Sequence, residues 1–232
     1  MPRRVTTILP STATIGSLML GVLAIMVLSD DKFLLAALLI TLGSILDVLD
    51  GQLAARLGAI SDIGKELDSL ADVVTFGVAP TILLYHLLLI VGVATHIAIL
   101  ASLMFVLAGA YRLARFNTMP SDRQAYFKGM PIPMACILLI SGSFWQHWVI
   151  NVWWTAIIAT VSYLMISTFP YPKSKHLLTC PPQVWVGVVT AALACWLLAG
   201  WEAIPFGLLL LYALSGPARC IYFLARPRLS QG

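Results

Sequence analysis

The stretch Ile45–Pro80, ILDVLDGQLAARLGAISDIGKELDSLADVVTFGVAP, decides the fold, because it sets four aspartates within or against hydrophobic runs: Asp47, Asp50, Asp68 and Asp72. A carboxylate inside a membrane helix costs a few kcal/mol unless it is paired, hydrated or bound to a cation. Four together point to a bound metal. Asp47 and Asp50 are three residues apart and Asp68 and Asp72 four apart, so each pair projects from one face of a helix.

Outward from this stretch the background is membrane. Of the 232 residues, 60% are hydrophobic and only 10% charged, and the mean hydropathy is +0.93, whereas about a quarter of the residues of a soluble domain are charged. The expected fold class is an all-α polytopic membrane protein. Windows of about 20 apolar residues place spans near 8–29, 33–54, 67–93, 95–116, 131–149, 152–170, 184–200 and 204–222, about eight transmembrane helices. The runs do not alternate with period two, which argues against membrane-spanning strands. No repeat or soluble segment is visible, so residues 1–232 read as one membrane domain.

The cations set an orientation. Arg3, Arg4, Arg56, Lys65, Arg112, Arg115, Arg123, Lys128, Lys173, Lys175, Arg219, Arg226 and Arg228 all fall on one side of an eight-span chain, and Lys32 alone falls opposite, beside Asp30 and Asp31. By the positive-inside rule both termini are expected in the cytoplasm. Arg3 and Arg4 before an apolar run also fit a signal peptide, but the run is long and no small-residue cleavage site precedes Asp30, so it reads as the first span. The net charge of +4 is then a topogenic imbalance facing anionic lipid heads, with no nucleic-acid partner implied. Cys136, Cys180, Cys195 and Cys220 lack metal-site spacing, and no disulfide is expected.

In this topology the acids of helix 2 lie near its cytoplasmic end, and those of helix 3 open that helix. Antiparallel neighbours joined by a short connection bring these ends together, so all four carboxylates can converge at the cytoplasmic boundary. Oxygen-only ligands suit a hard divalent ion such as Mg²⁺, Mn²⁺ or Ca²⁺. His86, His96 and His147 fall toward the other side, against a zinc site. Gly43 and Ser44 read as close packing between helices; Gly51 and Gly64, beside carboxylates at the water boundary, read as room for a ligand against the backbone. Two ions held by shared carboxylates can clamp a diphosphate, with one acid acting as general base. A cation channel or transporter is the competing class, but transporters hold their acids near the membrane midplane on broken helices.

Asp47 to Asp72 resembles the signature of the CDP-alcohol phosphotransferase family, D-x2-D-G-x2-A-R-x8-G-x3-D-x3-D. Asp47, Asp50, Gly51, Ala54, Gly64, Asp68 and Asp72 occupy its slots. One slot departs: Ala55 stands where the family has arginine, with Arg56 next along, and a one-residue offset turns a helical side chain by about 100°. Within the family the chain is most similar to the integral membrane phosphatidylserine synthases, through DSLADVVTFGVAP (Asp68–Pro80), YRLARFN (Tyr111–Asn117), FKGMPIP (Phe127–Pro133) and FPYPK (Phe169–Lys173). LPSTATIGSLMLG (Leu9–Gly21) is a weaker likeness, with Ser11 and Ser17 where asparagines are common.

The resemblance implies a catalytic core of six helices in residues 1–173, with 174–232 adding two helices and a tail. It implies transfer of a phosphatidyl group from CDP-diacylglycerol to serine with release of CMP, at a cytoplasmic site holding Mg²⁺ or Mn²⁺, as two ions, in a homodimer among membrane lipids. By slot, Asp47, Asp50, Asp68 and Asp72 hold metal, Asp72 also serving as the catalytic base, while Asp47, Gly51, Ala54 and Gly64 face the CDP. Choline, glycerol phosphate or inositol phosphate stay open as acceptors, as does an impaired member. Serine's carboxylate calls for a cation, and Arg112, Arg115 and Lys128 are the candidates. Snorkelling at a helix end is the plainer reading of each. Asn117 reads as a helix cap, Pro131 and Pro133 as a helix start, Pro170 and Pro172 as a helix stop, and Trp145, Trp148, Trp153 and Trp154 as an interfacial aromatic belt.

Overall fold

A computed structural model describes residues 3–57, 62–118, 126–144, 153–172, 200 and 203–225; side chains are described within these ranges except for 3–11, 53–57, 62, 144 and 222–225. In chain order the elements are α1 (Arg3–Leu28), α2 (Phe33–Leu57), α3 (Asp62–Asp72), a π-helical turn (Val73–Val78), α4 (Ala79–Ile90), α5 (Thr95–Thr118), β1 (Tyr126–Lys128), α6 (Ile132–Phe144), α7 (Trp153–Ile166), β2 (Pro170–Pro172) and α8 (Ala203–Ala225). Among the described residues four helical stretches are long and apolar enough to cross a membrane: Phe33–Gln52, Ile63–Ile90, Thr95–Thr118 and Ala203–Ile221. Thr12–Leu28, Ile132–Ser143 and Trp153–Ile166 are shorter apolar helices. The molecule is an all-α membrane protein; the expected span at 184–200 lies outside the described residues.

The rods bury one apolar side and leave other leucines, isoleucines and methionines outside, as a solvent of lipid allows. Met19, Met26, Leu34, Leu38, Leu100 and Leu107 are exposed, while Ile40, Phe76, Leu84, Phe105, Ile132 and Trp154 are wholly buried. The Trp153–Trp154 pair therefore divides: Trp153 faces outward and Trp154 is core, packing near Phe206 of α8 rather than joining a belt.

α1 and α2 are joined by a tight turn in which Asp31 takes φ of 57° and Lys32 pairs with Asp30 at 3.1 Å. Along one stripe of α1, Ser17 donates to the Gly43 carbonyl of α2 at 3.1 Å and accepts on its own carbonyl from Thr75 at 3.0 Å. Thr75 fits a notch cut by two glycines. A Cβ on Gly21 would lie 2.8 Å from the Thr75 Cα, and one on Gly43 2.8 Å from its Cγ2. The packing expected of Gly43 is thus seen; Ser44 bonds back to Thr41 of its own helix.

The rod carrying Asp68 and Asp72 starts at Asp62, five residues before the expected 67, and is not uniform. After Asp72 it widens into the π turn, where the Ala79 amide donates to the Val74 carbonyl. Thr75, Phe76 and Gly77 are buried there, and Pro80, which has no amide to give, follows in the first turn of α4.

At the same end, two short strands form a clip. β1 and β2 pair antiparallel with Phe127 opposite Tyr171, joining two segments more than forty residues apart in sequence. Gly129, at φ of 79°, packs its backbone against the Met165 and Ser167 carbonyls, leaving no room for a side chain. α6 starts between Pro131 and Pro133 as expected, but α7 ends at Ile166, before the prolines, and Pro170 and Pro172 belong to β2.

Candidate active site

The last turns of α2 and the second half of α3 bring the four acids together; because α3 starts at Asp62, Asp68 and Asp72 close that helix rather than open it as expected. Oxygens from Asp47, Asp50 and Asp68 lie within 4.8 Å of one another, and Asp72 is their neighbour, within electrostatic reach of Asp47 and Asp68. Asp50 and Asp72 are buried, Asp47 and Asp68 partly so. Among the described residues no cationic side chain pairs with any of the four at ion-pair distance. Like charges this close in a medium of low dielectric repel strongly and need a counter-ion. Oxygen ligands around one Mg²⁺, Mn²⁺ or Ca²⁺ stand roughly 3–5 Å apart, so both the spacing and the all-carboxylate donor set fit a hard divalent ion.

Asp50 has a partner the sequence reading missed. Thr14 of α1 donates to its Oδ2 at 2.7 Å in a buried bond. One carboxylate edge is thereby fixed, which holds Asp50 in place for a ligand. The signal was present in the weak amino-terminal likeness: Thr14, Ser17 and Gly21 recur at helical spacing as a polar and small stripe on an apolar helix.

Gly51 is exposed, and a Cβ there would meet nothing within 4 Å. Gly64 is partly buried in the first turn of α3. Ala54, Ala55 and Arg56 lie on the last turn of α2 with side chains outside the described residues, and Arg123 is also outside them.

The three candidate acceptor cations have different surroundings. Arg112 is 7% exposed, its guanidinium lies 5.9 Å from the Phe116 ring centroid, and its buried Nε has no partner among the described residues. It is also the cation whose charge reaches Asp72. Arg115 instead spends its donors on carbonyls: Ile166 at 2.6 Å, Lys128 at 2.8 Å, Ser167 at 3.0 Å and Met165 at 3.3 Å. It caps the end of α7, whose last carbonyls would otherwise lack partners, and ties the clip to α5. Lys128 is exposed on β1. Asn117 is no helix cap: its Nδ2 donates to Ser69 at 2.9 Å, binding α5 to α3 between the two acids of that helix.

The helices and the convergent carboxylates define an integral membrane protein with an acidic site at one end of its bundle. The chain belongs to the CDP-alcohol phosphatidyltransferase family, whose model matches residues 7–196. Among its relatives is the CDP-diacylglycerol–serine O-phosphatidyltransferase of Bacillus subtilis, 40% identical over 72% of this chain and 91% of that protein. Proteins of the same description from Methanocaldococcus jannaschii and Mycobacterium leprae are 34% and 37% identical. They align over 88% and 81% of this chain and 89% and 65% of their own lengths.

Proposed function

We propose that this chain makes phosphatidylserine, transferring the phosphatidyl group of CDP-diacylglycerol to the hydroxyl of serine and releasing CMP. The observation that carries the reading is the meeting of Asp47, Asp50 and Asp68 beside Asp72 and Arg112 at one end of the bundle. Divalent ions, Mg²⁺ or Mn²⁺ and two in number, bound by Asp47, Asp50, Asp68 and Asp72 would neutralise the diphosphate. Gly51 leaves open space against the backbone where the CDP can lie, together with Asp47, Ala54 and Gly64.

Asp72 takes the proton of the serine hydroxyl, a poor nucleophile until a base relieves it. The serine oxygen bonds to the phosphorus that carries the diacylglycerol, and the bond from that phosphorus to the bridging oxygen breaks, so the oxygen leaves with CMP. Arg112 holds the serine carboxylate, for which a planar guanidinium offers parallel donors. With Arg115 committed to carbonyls, its part is to hold the clip. Lys128, at the exposed rim, attracts anionic substrates toward the site.

The same cations argue for serine over the other acceptors. A phosphate-bearing alcohol needs several buried donors, and choline would set its cation against Arg112. The site faces the cytoplasm with both termini, by the distribution of arginine and lysine. Six helices within 1–173 form the core, two more in 174–232 complete eight, and the protein works as a homodimer.

Purified protein given CDP-diacylglycerol, Mn²⁺ and either serine, choline, glycerol phosphate or inositol phosphate tests the reading. CMP release with serine alone is expected. Release with another alcohol and none with serine would overturn it.

A further inference from the structure

α8 lies beyond the residues matched by the family model, which end at 196, and yet it is fastened to the clip at the acceptor end of the site. Tyr171 of β2 is wholly buried and donates to the Ala213 carbonyl of α8 at 2.9 Å. Its ring lies so close to Gly216 that no side chain fits there. One turn along α8 from Gly216, the Tyr212 ring packs on Tyr171 with centroids 5.4 Å apart. Arg219 reaches the Tyr126 ring of β1 at 5.4 Å.

Two donors at this junction are underused. Arg112 keeps a buried Nε without a partner among the described residues. Among the described residues the Tyr212 hydroxyl makes only a long bond of 3.4 Å to the Pro172 carbonyl, at the outer limit for an O–H donor, whose usual distance is about 2.7–2.8 Å. Asp72 of α3, Tyr212 of α8 and Arg115 of its own helix are within electrostatic reach of Arg112. Arg112 is therefore a neighbour both of the acid assigned as base and of the phenol of the last helix. A buried guanidinium nitrogen left unbonded is costly, and its place among these groups marks where an anion would sit.

We infer that α8 walls the acceptor pocket and that Tyr212 is a specificity-determining residue, its hydroxyl joining Arg112 in binding the acceptor's carboxylate. This rests on the assignment of serine as acceptor. The chemistry is suited to a small hydroxy acid: a carboxylate gripped by Arg112 and Tyr212 leaves a hydroxyl two carbons away to turn toward Asp72. An acceptor without a carboxylate gains nothing from Tyr212.

The test compares wild type, Tyr212→Phe and Leu214→Ala in CMP release, titrating serine, its carboxylate-free analogue serinol, and CDP-diacylglycerol separately. Leu214 is 55% exposed on the other face of α8 and serves as a control for general disturbance of the helix. Tyr212→Phe should raise the serine KM roughly tenfold, the scale of one hydrogen bond to a charged group. It should leave the KM for CDP-diacylglycerol unchanged and shrink the preference for serine over serinol, and Leu214→Ala should do none of this. An unchanged serine KM in Tyr212→Phe, or an equal rise in Leu214→Ala, would overturn the inference while the serine assignment stands. Wild-type protein that releases no CMP with serine would overturn the assignment and the inference together.

Discussion

Asp72 differs from the other three acids in its company. It is buried, beside Asp47 and within the field of Arg112, whereas Asp47, Asp50 and Asp68 form the tight oxygen triplet. A base and a ligand can thus be told apart by substitution. Asp72→Asn is expected to lower kcat by at least about a hundredfold while CDP-lipid binding, measured by equilibrium dialysis, persists; full turnover would exclude it as the base. Thr14 offers a separate test, because its hydroxyl donates to Asp50. Removing such a supporting hydrogen bond typically costs about 10–100-fold in metal affinity. Thr14→Val should weaken Mn²⁺ binding by that factor, read as free Mn²⁺ by electron paramagnetic resonance, and Thr14→Ser should restore it. The paired acids were legible because a spacing of three or four residues has one meaning on a helix. Thr14 was not, because a threonine facing the interior and one facing lipid look alike until the neighbouring helix is known.

Between elements, two glycines of the same composition do opposite things. Gly21 admits the Thr75 backbone of the π turn, and a methyl there would press on the Thr75 Cα. Gly51 borders open space. Gly21→Ala should cost about 1–3 kcal/mol, seen as a lower unfolding temperature in detergent. Gly51→Ala should leave that temperature unchanged and raise the KM for CDP-diacylglycerol. Equal effects at both positions would refute the distinction. The clip shows where sequence reading stops at this scale. Tyr126–Lys128 and Pro170–Pro172 are three residues each, two of them prolines, and neither has a strand pattern of its own. Their pairing is held by Arg115, reaching in from α5, and by Tyr171 of β2, reaching out to α8. Arg115 looked like a substrate cation for the same reason: an arginine at a helix end does not disclose which carbonyls stand opposite.

For the molecule as a whole, the four clustered acids are a source of stress that a cation relieves. A ligand that binds only the folded state adds about 2.7 kcal/mol at a hundred times its Kd. Mn²⁺ should therefore raise the unfolding temperature of the purified protein, chelation should reverse the rise, and Asp47→Asn should largely abolish it. An unfolding temperature indifferent to Mn²⁺ would count against a metal at this site. The membrane class was plain from composition, since a chain this apolar has few other ways to be stable. The break in the third rod was not, because a π turn leaves no mark on hydropathy.

That break alters how the faces of the rod should be read. A helical wheel drawn straight from Asp62 to Ile90 assumes one unbroken phase, but the extra residue in the wide turn rotates everything after Val78 by about 100° relative to the acids. Such a wheel would misplace the lining of the lower half, and a relative with a one-residue gap there would present a different wall to its neighbours while keeping the same carboxylates. The acidic end and the packed end of this rod are in effect geared separately, so each is free to change without dragging the other out of alignment.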